Sequence, residues 1–236
     1  MSFDELQVRF AVLICADTEW RVVLKHSPNT VLNGSPFGSW FYVEADDEMS
    51  MEPYILMHGG WGKVAAAAST QYAIDRWAPD IIINLGTCGG FEGQVAIGEI
   101  ILAEKTLIYD IYEQMHDPEI TRQQYATELD LSWLPGYLPL PVRRSILVSA
   151  DRDLVPAEIG ELQHKYGAIA GDWESGAIAY VAARNNVHCL ILRGVSDLVS
   201  EHGGEAYGDE NLFAVRVGEI MDTLLGALPE LISTFT

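Results

Sequence analysis

Short apolar runs rich in valine and isoleucine recur along this chain, and helical patterns separate them. The runs are "RFAVLICA" (9–16), "PYILMHGG" (53–60), "DIIINLG" (80–86), "IGEIILAE" (97–104), "SILVSA" (145–150) and "VHCLILRGVSD" (187–197). Each is four to eight apolar residues bounded by turn formers, the pattern of strands buried on both faces. "GSWFYVEA" (38–45) reads as a further strand, at a sheet edge or in a hairpin. Between them, "GKVAAAASTQYAIDRW" (62–77) is alanine-rich and stops before Pro79, as a helix should. "PAEIGELQHKYG" (156–167) opens on proline and closes on glycine. "ESGAIAYVAARNN" (174–186) carries an apolar stripe at Ile178, Val181 and Ala182. "DENLFAVRVGEIMDTLLGAL" (209–228) puts Phe213, Val217, Ile220, Met221 and Leu224 on one face. Strands alternating with helices define an α/β protein, with a parallel or mixed sheet covered by helices on both faces.

At 236 residues the chain suits one large domain, 1–236, better than two small ones. No apolar run approaches the roughly 18 residues of a membrane span. The N-terminal "MSFDELQVRF" has no long apolar segment, so a cytoplasmic protein is expected. The formal net charge is −20, from 34 acids and 14 bases. That balance argues against nucleic acid or anionic membrane as partner, because both would repel it. Cys15, Cys88 and Cys189 are odd in number, widely spaced and set in apolar segments, which predicts reduced, buried thiols. The six histidines have no metal-ligand spacing, so no metal site is expected. Residues 109–144 are aromatic and proline-rich without clear periodicity; such a long irregular stretch is usually functional, an interface or disordered, and its aromatics argue against disorder. "SEHGGEAYG" (200–208) has the glycines of a mobile loop.

In open α/β sheets, ligands bind beyond the carboxyl ends of the strands. Asp17 and Glu19 follow the first run, Thr87 lies in the glycine-rich "GTCGG" expected to form a turn, and Ser196 and Asp197 close the last run. "DRDL" follows "SILVSA", and Asp172 and Glu174 open a helix around Trp173. Each has a bland reading. A carboxylate at a helix start is most often a cap or dipole partner worth ~0.3–1 kcal/mol. "GTCGG" is neither GxGxxG nor a P-loop, and Ser196 has no nucleophile elbow around it. Their concurrence on one sheet edge favours a carboxylate-rich site for a small molecule, and periodicity alone goes no further.

The blocks "GGWGKVAAAASTQ", "PDIIINLGTCGGFEGQVAIGEIILAE", "DWESGAIAYVAARNNV" and "LILRGVSD", in this order over about residues 9–225, resemble the nucleoside phosphorylase/nucleosidase superfamily. The resemblance is strongest to its 5′-methylthioadenosine/S-adenosylhomocysteine nucleosidase branch. It implies a three-layer αβα sandwich around a twisted mixed sheet, a homodimer or larger homo-oligomer, a nucleoside as small-molecule substrate and no cofactor. It also implies cleavage of the N-glycosidic bond of a purine nucleoside. By position, Asp197 matches the aspartate that protonates the departing purine, and Glu19 the glutamate that activates water. Glu174 matches the ligand of the ribose hydroxyls, and Thr87 and Gly89 the segment beside the ribose. Ser196 and Arg193 match supporting positions near the base and near the ribose-binding glutamate.

The chain departs from the branch at several places. Asp172-Trp173-Glu174 stands where Glu-Met-Glu is usual, so a shorter acid and a bulkier side chain border the substrate. The phenylalanine that covers the purine falls at Asp153, with Leu154 next, and an aspartate does not stack as phenylalanine does. Asn84 occupies the place where hexameric phosphorylases keep a phosphate-binding arginine, which favours hydrolysis; Arg21 is the one nearby cation that could face an anion. Phosphorolysis and a non-catalytic nucleoside-binding relative are the alternatives.

Overall fold

A computed structural model of the protein describes residues 6–115, 117–200 and 202–235. The first five residues of the segment read above for a leader lie outside them, as does Glu201 in the loop 200–208. The central strand β1 (Phe10–Ile14) runs parallel to β4 (Tyr54–His58) on one side and to β5 (Ile81–Phe91) on the other. Beyond β4 lie β3 (Ser39–Val43), antiparallel to it, and the short edge strand β2 (Asn33–Gly34). On the other side β5 runs parallel to β10 (His188–Ser200) along its whole length. Strand β10 is antiparallel to β6 (Ile100–Ile108), β6 is parallel to β8 (Arg143–Ser149), and β8 is parallel to β9 (Ala168–Asp172). Strand β9 then returns antiparallel to β5, so these five strands close on themselves like a small barrel. The short strands β7 (Ala126–Glu128) and β11 (Gly203–Gly204) add to β6 and β10.

Six helices are present among the described residues: α1 (Asp17–His26), α2 (Gly62–Trp77), α3 (Pro118–Gln124), α4 (Pro156–Tyr166), α5 (Ser175–Arg184) and α6 (Glu210–Ser233). Alternation along β1 assigns them to two faces. Phe10, Val12 and Ile14 pack with Trp20 and Val23 of α1 and with Val217, Met221 and Leu224 of α6. Ala11 and Leu13 pack with Ala66, Ala73 and Trp77 of α2 and with Ile178 and Ala182 of α5. All five β1 residues are buried, so this strand must read as an unbroken apolar run rather than an alternating one. The alanines of α2 and α5 let those helices lie close to each other and to the sheet. The result is the expected three-layer α/β arrangement around a mixed sheet. The three cysteines are free and buried.

The structure corrects several sequence expectations. "GTCGG" is not a turn: β5 continues through it to Phe91, because its glycines allow β9 and β10 to approach closely. A Cβ on Gly90 would meet Val95 at 2.4 Å and Val195 at 2.7 Å. Strand β9 and helix α1 were not anticipated. Asp172 therefore ends a strand, and α5 starts at Ser175 with Glu174 as its N-cap residue. Helix α6 runs on through Pro229 to Ser233. The segment 109–144 holds α3 and β7. No helix among the described residues is long and apolar enough to cross a membrane.

Candidate active site

The carboxyl ends of β1, β4 and β9, with the middle of β5 and β10, enclose a cleft of about 490 Å³. Ten of the eleven residues singled out from the sequence line it: Glu19, Thr87, Gly89, Asp153, Leu154, Asp172, Trp173, Glu174, Ser196 and Asp197. The eleventh, Arg193, lies buried beneath it and is only 1% exposed.

Arg193 organises the floor. It lies on β10 opposite Gly86 of β5, and a Cβ on Gly86 would stand 2.3 Å from its Nη1, so only glycine leaves room for the guanidinium there. Its Nη2 donates to Asn84 Oδ1 (2.8 Å), and its Nη1 donates to the Thr87 carbonyl (3.3 Å). Three buried carboxylates surround it. Asp172 Oδ2 is 2.9 Å from Nε, an ion pair whose N–H is not aligned as a hydrogen bond. Glu174 Oε2 is 3.5 Å from Nη2, and Glu19 Oε1 is 3.9 Å from Nη1. Burial works against the arginine's charge, yet Asp172, Glu174 and Glu19 together hold its proton more tightly than in water.

The three carboxylates have different surroundings. Asp172 Oδ1 accepts from Ser149 Oγ (2.6 Å) and Ser175 Oγ (2.9 Å), and the carboxylate also takes the Ser175 N–H at the start of α5. It lines the cleft with both oxygens already engaged, so it braces β8, α5 and Arg193 against one another. Glu19 stands in the first turn of α1, where its Oε2 takes the Ala16 N–H (3.3 Å) and its Oε1 accepts from the Thr87 N–H (2.6 Å) and hydroxyl (2.9 Å). Glu174 Oε1 accepts from the Gly62 N–H at the start of α2 (3.1 Å). Burial pushes the Glu174 carboxyl up to about 8; Arg193 opposes this, while Asp172 and Glu19 add to it.

Asp197 stands apart from this cluster, on the far part of β10. The register of β10 on β5 slips between Val195 and Asp197, and this irregularity at Ser196 aims the aspartate into the cleft. Its Oδ1 accepts from Ser196 Oγ at 2.8 Å. Burial pushes its carboxyl up; Ser196 and Arg216 oppose this, and Glu205 and Asp153 reinforce it. An upward shift caused by burial is in the direction that a general acid requires.

Sequence reasoning singled out Trp173 but not the other aromatic walls. Trp61 stacks on Trp173 (centroids 4.6 Å apart, planes at 29°), and Tyr207 and Phe213 also line the cleft. Trp61 was visible inside the "GGWGK" block, and Tyr207 inside the glycine-rich loop. Asp153 is exposed at the rim, whereas Leu154 is buried and its carbonyl accepts from Tyr207 Oη (3.1 Å). The place expected of the stacking phenylalanine thus carries no ring of its own, and Tyr207 is tied to its backbone. Among the described residues no group of three or more His, Cys, Asp or Glu side chains is placed to hold a metal ion.

The chain belongs to the phosphorylase superfamily, whose family profile matches residues 11–228. A 5′-methylthioadenosine/S-adenosylhomocysteine nucleosidase from Maridesulfovibrio salexigens is 28% identical over 166 residues, covering 65% of this chain and 71% of that protein. Among solved structures, the Arabidopsis thaliana 5′-methylthioadenosine nucleosidase superposes with a TM-score of 0.78 at 20% identity, over 98% of this chain and 97% of the other. A futalosine hydrolase mutant from Helicobacter pylori superposes with a TM-score of 0.73 at 16% identity, over 93% of this chain and 97% of the other. These superpositions support the fold.

Proposed function

We propose that the protein hydrolyses the N-glycosidic bond of a purine nucleoside of the 5′-methylthioadenosine/S-adenosylhomocysteine type, releasing the free base. The observation that carries this reading is the separation of Asp197, a buried acid whose burial favours the protonated form, from the Glu19–Glu174–Arg193 cluster in one cleft. Stretching the C1′–N9 bond builds positive charge on the ribose and negative charge on the base. Asp197 donates its proton to the departing purine through Oδ2, which has no hydrogen-bond donor among the described residues, while Ser196 holds Oδ1. Glu174 accepts from the ribose hydroxyls. Glu19, steadied by Thr87 on Oε1, takes a proton from the attacking water, whose oxygen bonds to C1′. The products are the protonated base and a ribose with a hydroxyl at C1′, and no cofactor enters the balance.

Asn84 favours hydrolysis over phosphorolysis. Its Nδ2 donates to the Leu13 carbonyl (2.9 Å) and its Oδ1 accepts from Arg193, so it spends both ends inside the protein. The chain acts as one domain in a homodimer or larger homo-oligomer in the cytoplasm, and the aromatic segment 109–144 contributes to the subunit contact. The test is release of base from 5′-methylthioadenosine and S-adenosylhomocysteine in phosphate-free buffer. Turnover only when phosphate is added would replace this reading with a phosphorylase. A folded protein that turns over no purine nucleoside under either condition would defeat both.

A further inference from the structure

We infer that Asp151, held by Asp110 and Lys63, is a positioning residue for Glu174. It fixes the start of α2 so that the Gly62 N–H meets the Glu174 carboxylate, and through Glu174 it governs how strongly the ribose hydroxyls are recognised. This role rests on the reading of Glu174 as the ligand of those hydroxyls and adds the device that holds the carboxylate in place.

Little inside α2 fixes where the helix begins. Among the described residues Glu174 has one backbone N–H partner on its side chain, from Gly62, the first residue of α2 (3.1 Å), so the carboxylate follows wherever that residue is held. Trp61, in the N-cap position, gives the first turn no side-chain hydrogen bond. Gly60 (φ 79°) and Gly62 (φ 83°) both adopt the left-handed region, where glycine is unstrained and the backbone is most free. A helix start of this kind needs partners from elsewhere for its unpaired N–H groups.

Distant loops supply those partners. Asp151 Oδ1 accepts from the Lys63 N–H at 2.7 Å, the bond next to the one between Gly62 and Glu174. Asp151 stands two residues beyond β8, and Asp110 stands two residues beyond β6. Asp110 Oδ2 accepts from the Asp151 N–H (3.0 Å), while Asp110 Oδ1 pairs with Lys63 Nζ, which also lies 3.6 Å from Asp151 Oδ2. The Lys63 and Asp110 side chains are only 13% and 20% exposed, so solvent screens this pair less than a surface one. The loops after β4, β6 and β8 thus close into one circuit, in which the lysine neutralises both aspartates. The fit is close: a Cβ on Gly62 would stand 3.0 Å from Asp151 Oδ1. Lys63, Asp110 and Asp151 do not line the cleft, so their effect on a substrate passes through Gly62 and Glu174.

The test reads recognition of the sugar rather than turnover. Binding of 5′-methylthioadenosine and of its 2′-deoxy analogue is measured by calorimetry on the full chain carrying Asp197→Asn. The ribonucleoside should bind about tenfold more tightly than the analogue, the worth of one hydrogen bond to a carboxylate. Adding Asp151→Ala should cut that ratio to about threefold or less, because a displaced Glu174 no longer meets the hydroxyl. Asp151→Asn keeps an oxygen that accepts from the Lys63 N–H and should keep most of the ratio. Lys63→Met leaves two aspartates facing each other and should lower the ratio as Asp151→Ala does; adding Asp110→Asn relieves that repulsion and should restore part of it. Lys63→Met also carries the test if Asp151→Ala fails to fold. An equal loss of affinity for both nucleosides, with the ratio intact, marks a general structural role and overturns the inference. No preference for the ribonucleoside before Asp151 is changed, or no binding of either probe, removes the ribose reading of Glu174 and the inference with it. A ratio that depends on Asp151 in a protein that releases no base keeps the positioning role and removes the hydrolase reading. Base release with a ratio indifferent to Asp151 does the reverse.

Discussion

Asp197 and Glu174 are both buried acids with raised carboxyls, yet their neighbours differ, and so do the tasks proposed for them. Asp197 has one hydroxyl donor and no cation in contact among the described residues, so Asp197→Asn removes the proposed proton donor without leaving a buried charge unpaired. Base release should fall by about a hundredfold or more, the usual worth of a positioned general acid, with the melting temperature preserved. An asparagine variant that keeps most of its kcat would sink the assignment. Glu174 shares one arginine with two other carboxylates, and its raised position has a consequence for stability. The folded state keeps a proton that the unfolded chain releases above its ordinary 4.5, so on this account stability is full below that value and is lost as pH rises toward about 8. Glutamine copies the protonated form and still accepts from Gly62. Glu174→Gln should therefore melt close to wild type at pH 5 and above it at pH 8, by roughly 2–8 °C for about 1–2 kcal/mol. A difference that does not change with pH in thermal melts would refute this.

Long strands and helix ends place these side chains. Strand β5 lies along β10 throughout; its first part also pairs with β1 and its later part with β9, and that continuation carries Thr87 and Gly89 into the cleft. The apolar part of this strand, "DIIIN", was legible from its composition. The glycine-rich part was not, because glycine clusters favour turns until neighbouring strands supply partners. For the same reason "AIAGD" passed unnoticed as β9: it is short, holds a glycine and ends on an acid. Helix α1 carried its own signs, with acids in the first turn and Lys25 and His26 in the last, but at ten residues its periodicity is weak. Helix α2 ends on Ala78 in the left-handed region (φ 46°), which costs an alanine about 1 kcal/mol that glycine avoids. Ala78→Gly should raise stability by up to about 1 kcal/mol, read as a higher denaturant midpoint at constant slope. A lower midpoint would mean that chain entropy outweighs the strain relieved.

A net charge of −20 makes the molecule repel itself, and the acids Asp172 and Glu19 are drawn with Glu174 around Arg193 beneath the cleft. Raising ionic strength from about 0.01 M to 0.15 M shortens the screening length from about 30 Å to 8 Å. The melting temperature should rise by a few degrees over that range, and a flat or falling trend would show that the acidic surface is too dispersed to matter. The sequence by itself determined the α/β class, the order of the main strands, the apolar faces of the helices and nearly all of the cleft-lining acids. These depend on local periodicity and on which residues end each strand, and a linear reading captures both. The tertiary structure decided the closure of β5, β10, β6, β8 and β9, the burial of Arg193 under three carboxylates, the stacking of Trp61 on Trp173 and the meeting of Lys63 with Asp110 and Asp151. Each of these joins residues far apart in the chain, so the physical reason is the same throughout: burial, pairing and charge are set by neighbours in space, which spacing along the sequence does not specify.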